Sequence, residues 1–213
     1  MLHDNELHIG GFTPMTTLDY PGELAAVVFC QGCPWRCRYC HNSELIPRKS
    51  HTSIPWAEIM NFLSQRRGLL DAVVFSGGEP TLQRALPNAI AQVKALGYKV
   101  GLHTGGPYPE RLRNVLPMVD WVGLDIKALE ENYPDVTGVK GSGSKAWASA
   151  RLVIESGVSH DIRTTVHPAL TSRSEQEQIR ERLHKLGTDR HLLQACVINN
   201  CLDPSLTSQS SSS

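Results

Sequence analysis

Residues 24–42 read Leu24-Ala25-Ala26-Val27-Val28-Phe29-Cys30-Gln31-Gly32-Cys33-Pro34-Trp35-Arg36-Cys37-Arg38-Tyr39-Cys40-His41-Asn42. The first seven form a short apolar run, as expected of a strand buried on both faces. Three cysteines then fall at the spacing C-x3-C-x2-C. In parallel α/β folds ligands sit at the carboxyl ends of the strands, and this loop follows the end of one.

Working outward, five more apolar runs have strand length: Ala72 to Phe75, Lys99 to Leu102, Trp121 to Leu124, Ile162 to Val166 and Leu192 to Val197. Helical periodicity fills gaps between them. Trp56, Ile59, Met60 and Leu63 share one face, as do Trp147, Ala150 and Ile154, and then Ile179, Leu183 and Leu186. Gly157 and Gly187 stand where the last two helices should stop. Six strand-helix units predict a parallel sheet covered by helices, and periodicity leaves open whether that sheet is flat or curls into a partial barrel. Residues 138–144 read as a flexible loop before a helix, and 208–213, nearly all serine, as a disordered tail behind one domain spanning residues 1–207.

Composition limits the function. The 213 residues, 40% of them hydrophobic, suffice for one domain with a proper core. Lysine plus arginine equal aspartate plus glutamate at 21 each, so no overall field draws the chain to nucleic acid or to an anionic membrane. Met1 to Glu6 lacks the basic-then-apolar pattern of a signal peptide, and Leu24 to Phe29 is too short to cross a bilayer, so a cytoplasmic location is expected. In a reducing compartment, four cysteines between Cys30 and Cys40 read as metal ligands or redox groups before they read as disulfides.

Other chemistry-bearing residues also gather at strand ends: Ser76 to Pro80 after the second run, His103 to Gly106 after the third, Asp125 and Lys127 after the fourth, His167 after the fifth. Cys33, Cys37 and Cys40 could wrap one side of an iron-sulfur cubane, binding three irons and leaving the fourth open. Arg36 and Arg38 would offset its negative charge, and Trp35 and Tyr39 would limit water. Two other readings stay open on this segment: a four-thiolate zinc site that adds Cys30, and a thioredoxin-type pair Cys37-x2-Cys40. Cys30 closes an apolar strand and suits a buried small hydrophobe better than a ligand. Ser76-Gly77-Gly78-Glu79-Pro80 should open a helix, with bare backbone at the glycines, unpaired amides at the helix start and Glu79 free to accept hydrogen bonds from an ammonium group or from loop amides. Cys196 and Cys201, five positions apart with no second pair nearby, do not have the spacing of a metal site.

The triple-cysteine loop, followed about forty positions later by Gly77-Gly78-Glu79-Pro80, resembles the radical S-adenosylmethionine superfamily. That resemblance implies an α/β fold, a partial (βα)6 barrel of the radical SAM type. Gly11-Phe12-Thr13-Pro14, Thr17-Leu18-Asp19-Tyr20-Pro21-Gly22, the run Phe29 to Asn42, Leu124-Asp125-Ile126-Lys127 and Arg163-Thr164-Thr165-Val166-His167-Pro168 resemble, more narrowly, the glycyl-radical-enzyme activases, and among these the branch serving anaerobic ribonucleoside-triphosphate reductase. The likeness runs from about Gly10 to Pro204.

The resemblance implies one [4Fe-4S] cluster on Cys33, Cys37 and Cys40, with S-adenosyl-L-methionine chelating the open iron. Tyr39, Cys40 and His41 would meet the adenine through backbone, and Gly77, Gly78 and Glu79 the methionine amino group. Asp125, Ile126 and Lys127 would border the cofactor, Asp125 and Lys127 polarising the site. Arg163 would lie near the methionine carboxylate and Thr104 near a ribose hydroxyl. The implied reaction is reductive cleavage to a 5′-deoxyadenosyl radical that takes a hydrogen from a glycine Cα of a partner enzyme. An electron donor such as flavodoxin or ferredoxin is implied as well. Read without the resemblance, Asp125 and Lys127 are equally an ordinary ion pair, Arg163 a partner of Asp125 or Asp161, and His41, His103 and His167 plain hydrogen-bonding histidines. Some activases place a cofactor-touching histidine after the last strand where this chain has Cys196. Two competing functions remain: a small-molecule radical enzyme such as 7-carboxy-7-deazaguanine synthase, and a zinc-stabilised binding module.

Overall fold

The computed structural model describes residues 6–49 and 53–207; the serine tail, 208–213, lies outside them. Seven strands form one sheet in the order in which they occur along the chain: β1 Ile9–Thr16, β2 Ala25–Cys30, β3 Ala72–Gly77, β4 Lys99–Thr104, β5 Trp121–Asp125, β6 Ser159–Val166 and β7 His191–Ala195. All pairs from β2 to β7 are parallel, and β1 adds antiparallel to β2. Strict sequential order without reversal is barrel topology, since a doubly wound sheet would change direction at a switch point. The ladder runs from β1 to β7 without a closing pair, so the barrel is partial.

All six strands read from the sequence are present. β1 is additional: Gly10, Gly11 and Pro14 weaken its strand signal, and such residues are tolerated because it lies at the sheet edge, with two register irregularities against β2. β7 is exposed rather than buried, with Leu192 49% and Leu193 40% accessible, as the last strand of an open sheet.

Crossovers are made by α1 Trp56–Ser64, α2 Leu86–Ala95, α3 Pro109–Val115, α4 Tyr133–Thr137 with α5 Ser142–Ser156, and α6 Arg173–Leu186. Gly157 and Gly187 do cap α5 and α6, with φ of 72° and 102°. Residues 138–144 are not the loose loop expected. Thr137 Oγ1 and Ser142 Oγ lie 2.7 Å apart, Ser142 Oγ donates to the Val139 carbonyl, and α5 begins at Ser142. In α5 the buried stripe is Ala146, Trp147, Ala150 and Val153, while Ile154 is half-buried.

Strand alternation divides the side chains. On one face Val73, Phe75, Val100, Leu102, Val122, Leu124 and Ile162 join Ile59, Leu63, Ile90, Leu112, Val153 and Ile179 of the helices in one core. On the other, Ala25, Val27, Ala72, Val74, Tyr20 and Trp121 form a smaller cluster. Past that inner cluster toward the carboxyl ends, the same alternation brings Ser76, His103, Asp125 and Arg163, which are polar.

Candidate cluster and cofactor site

These polar residues line a cavity of about 250 Å³, together with Cys33, Cys37, Cys40, Gly77, Gly78 and Lys127. A larger cavity, about 460 Å³, lies beyond Gln31 and includes His8, Arg48 and Arg111 but no cysteine; the chemistry therefore singles out the smaller one.

The cysteine loop is anchored through its backbone on four sides. Gly32 and Cys33 amides donate to the Leu45 and Ile46 carbonyls at 2.7 and 3.0 Å, and Arg36 and Arg38 amides to Thr137 and Val136, the C-terminal turn of α4, at 2.9 Å each. The Gly78 and Glu79 amides donate to Cys30 and Gly32 at 2.9 Å. From the far end of the chain, Leu202 N donates to Cys40 O at 3.1 Å and Asp203 N to Arg38 O at 2.8 Å, with an Arg38–Asp203 ion pair at 2.7 Å. Trp35 packs edge-on against Tyr133, with ring centroids 5.8 Å apart. A loop held this way keeps its three thiols in place before any metal arrives, which is preorganisation.

All six cysteines are free thiols. Burial pushes Cys33 up to about 12 and Cys37 up to about 11, and also raises Cys40, while Lys127 pulls each of the three down. A metal must expel these protons, and bound iron deprotonates a coordinating thiol outright. Cys30 does not line the cavity: it is fully buried at the end of β2, in register with Gly77, as a small hydrophobe.

The Gly-Gly turn differs from expectation. Its amides are not offered to a ligand, because the cysteine loop takes those of Gly78 and Glu79, and only a three-residue 3-10 turn, Pro80–Leu82, follows. The glycines serve loop-to-loop contact. A Cβ on Gly77, whose φ is 110°, would stand 2.4 Å from Cys30 N, and one on Gly78 would stand 2.4 Å from Gly32 O. Gly77→Ala should therefore destabilise the fold by about 3 kcal/mol and lower iron occupancy, measured by denaturant unfolding and iron analysis of the same preparation.

Glu79 is 2% exposed, and its carboxylate braces the rim. Oε1 accepts from Thr81 N at 3.0 Å, Thr81 Oγ1 at 2.5 Å and Thr104 Oγ1 at 2.8 Å, and Oε2 accepts from Gly105 N at 3.0 Å. Loop amides and hydroxyls thus take the role left open between them and an ammonium group. Thr104 lines the cavity with its hydroxyl proton committed to Glu79, while Gly106 N donates to the same oxygen at 3.0 Å.

Asp125, Lys127 and Arg163 meet on the opposite rim. Register pairs Asp125 with Arg163 across β5 and β6, giving Arg163 Nε to Asp125 Oδ1 at 3.0 Å, and Lys127 Nζ reaches Asp125 Oδ2 at 3.2 Å. Asp161 instead pairs with Arg190 at 2.8 Å. Burial works to raise the Asp125 carboxyl, yet Arg163 and Lys127 together hold it at about 2. Burial likewise opposes the Lys127 ammonium, but Tyr39, Asp125 and Cys37 around it keep its pKa well above the ordinary value. One acid between two bases leaves a local excess of positive charge facing the cavity, suited to a carboxylate. Tyr39 is buried beneath, with the Lys127 ammonium 5.6 Å from its ring centre.

Ile126 does not join them. It is fully buried in the outer core; its amide donates to Arg163 O at 2.9 Å and its carbonyl accepts from Thr164 Oγ1 at 2.6 Å. Alternation along the strand turns it away from the face that Asp125 and Lys127 share. His41 lines the cavity at its exposed lip. Asn42 and Thr165 also line it and were missed; their only signal was position at the end of the motif or of a strand.

His103 is a buried hydrogen-bonding histidine, with Nδ1 3.2 Å from Ser76 Oγ, Nε2 2.9 Å from Asp19 O and Arg163 alongside at 3.4 Å. Burial first, then the Arg163 charge, lowers its pKa to about 4. The unfolded chain takes up that proton near the ordinary value, so stability from neutral His103 is full above about 6.5 and lost as pH falls toward 4. Between pH 7 and 4.5 the wild type should lose about 2 kcal/mol more unfolding free energy than His103→Gln; equal acid sensitivity of the two proteins would contradict this.

The Radical SAM superfamily model matches residues 27–186. The chain belongs to that superfamily, whose enzymes use a [4Fe-4S] cluster and S-adenosylmethionine. A protein of Methanocaldococcus jannaschii assigned as a glycyl-radical enzyme activating enzyme is 30% identical over 179 residues, 80% of this chain and 73% of that protein. The pyruvate formate-lyase-activating enzyme of Clostridium pasteurianum is 31% identical over 175 residues, 76% of this chain and 69% of that one, and a 7-carboxy-7-deazaguanine synthase of Thermococcus kodakarensis is 31% identical over 169, covering 70% and 64%. In fold, Streptococcus suis SuiB bound to its precursor peptide SuiA is similar at a TM-score of 0.64 and 17% identity, over 80% of this chain and 38% of SuiB. No helix among the described residues is long and apolar enough to cross a membrane.

Three free thiols on one anchored loop, all lining the same cavity as the paired bases, fit the cluster and cofactor.

Proposed function

We propose that the chain activates a glycyl radical enzyme, most specifically the anaerobic ribonucleoside-triphosphate reductase, by removing a hydrogen atom from a glycine Cα in one of its loops. The observation that carries this is the similarity to activating enzymes over four fifths of the chain. Cys33, Cys37 and Cys40 would hold the cluster, with an open iron left for the methionine end of the cofactor. Arg163 and Lys127 meet its carboxylate. With the Gly78 and Glu79 amides spent on the cysteine loop, the turn at Gly77 and Gly78 has carbonyls to offer the ammonium group. Backbone at Tyr39 to His41 meets the adenine, and Thr104 lies within reach of the ribose with its oxygen as acceptor. A cluster held there and reduced by a flavodoxin- or ferredoxin-type donor would supply the electron for reductive cleavage of the cofactor. The protein orients the reacting groups and excludes water from them.

Anaerobic incubation of the reduced, iron-loaded protein with S-adenosylmethionine and candidate glycyl radical enzymes should produce a doublet electron paramagnetic resonance signal with its cognate partner. Release of 5′-deoxyadenosine with no such signal from any candidate would defeat the activase reading and turn the assignment toward a small heterocycle as substrate. Absence of 5′-deoxyadenosine altogether would defeat both.

A further inference from the structure

Outside the set of cluster thiols, His41, Cys196 and Cys201 each bring a ligand atom to within 4.8 Å of the other two. Spacing along the chain gave no hint of this, because the third member follows Cys40 on the cysteine loop, while the two cysteines lie beyond β7. All three converge on one acceptor, the Val197 carbonyl: His41 Nε2 meets it directly, and the Sγ atoms of Cys196 and Cys201 each lie 3.6 Å away. A carbonyl oxygen has two lone pairs, so three groups share what suits two. The segment that carries Cys201 is fixed against the loop by Leu202 N donating to Cys40 O at 3.1 Å, which keeps the three donors together.

We infer that His41, Cys196 and Cys201 form a second metal site, separate from the iron-sulfur cluster, that takes a thiophilic d10 divalent cation, zinc before others. Two thiolates and an imidazole are the donor set such an ion prefers. With bonds of about 2.3 Å to sulfur, tetrahedral geometry sets the sulfurs about 3.8 Å apart, so the donors need close by only about an ångström. Exposed His41 and half-buried Cys196 have room to do so. Binding releases two thiol protons to solvent, and the two thiolates neutralise the dication. The fourth corner, on the exposed His41 side, goes to water. A cation here ties the residue after the last cluster ligand to the end of β7.

The test uses anaerobically purified, iron-loaded protein given one equivalent of zinc chloride and challenged with a chromophoric zinc chelator. The wild type should retain about one zinc per chain, and the zinc K-edge spectrum should show two sulfur and one nitrogen neighbours. Cys196→Ser and Cys201→Ser should each weaken retention at least about tenfold with iron content unchanged. Retention equal in wild type and Cys196→Ser, prompt loss of zinc from the wild type, or a shell of three or four sulfurs would each overturn the site. Should buried Cys201→Ser fail to fold, Cys196→Ser and the wild-type spectrum decide.

Discussion

Replacing Cys37 by alanine should reduce bound iron from about four atoms per chain to nearly none and lower 5′-deoxyadenosine formation at least about a thousandfold. Cys30→Ala should leave both almost intact. The two thiols stand seven positions apart and both are buried, so burial does not distinguish them. What does is direction: Cys37 lines the cavity beside Lys127 and Asp125, whereas Cys30 packs in the outer core in register with Gly77. Losing the Cys30 sulfur leaves a small void costing about 1 kcal/mol, visible as a slightly lower unfolding midpoint. Equal loss of iron from both variants would make Cys30 a ligand and revive a four-thiolate site.

Glu79→Ala should cost about 3–5 kcal/mol of unfolding free energy. Four donors on two segments, Thr81 after β3 and Thr104 and Gly105 after β4, lose their common acceptor at once. Glu79→Gln separates bracing from direct contact with the cofactor. Its amide keeps one oxygen for Thr81 and Thr104 but turns an NH2 toward the Gly105 N–H, donor against donor, for about 1–3 kcal/mol. Denaturant unfolding of the apoprotein measures both losses. A Glu79→Gln protein of unchanged stability and weakened S-adenosylmethionine binding would contradict the bracing role and return Glu79 to the cofactor.

Six parallel strands could be read because each is a dense apolar run, and the crossovers because their stripes repeat at helical spacing. β1 could not, since Gly10, Gly11 and Pro14 disguise an edge strand that pairs antiparallel through an irregular ladder. The cysteine loop is visible from its spacing, and the Gly77-Gly78-Glu79-Pro80 motif is needed beside it to favour a cluster over zinc or a dithiol. Asp125, Lys127 and Arg163 were nameable one by one, but their ion pairs depend on the β5–β6 register, which no local pattern encodes. Ile126, between Asp125 and Lys127, is buried in the outer core and does not line the cavity, which the motif alone does not reveal. The Gly77-Gly78 turn is legible as a feature of the rim, but the close approach that requires glycine there is not, because the backbone filling its Cβ space belongs to Cys30 and Gly32, far earlier in the chain. His41 beside Cys196 and Cys201 was beyond reach for the same cause at longer range.

The contacts from Leu202 and Asp203 to the cysteine loop also order events during biosynthesis. A ribosome makes residues 33–40 well before residues 202–203, so the cradle lacks its closing hydrogen bonds until the later segment has been made and has folded back. Iron delivered before that docking meets an unfinished receptacle; iron delivered after it meets a finished one. Maturation of this protein is thus timed by the docking of residues 202–203, and a chain unable to place them would offer iron an incompletely held loop.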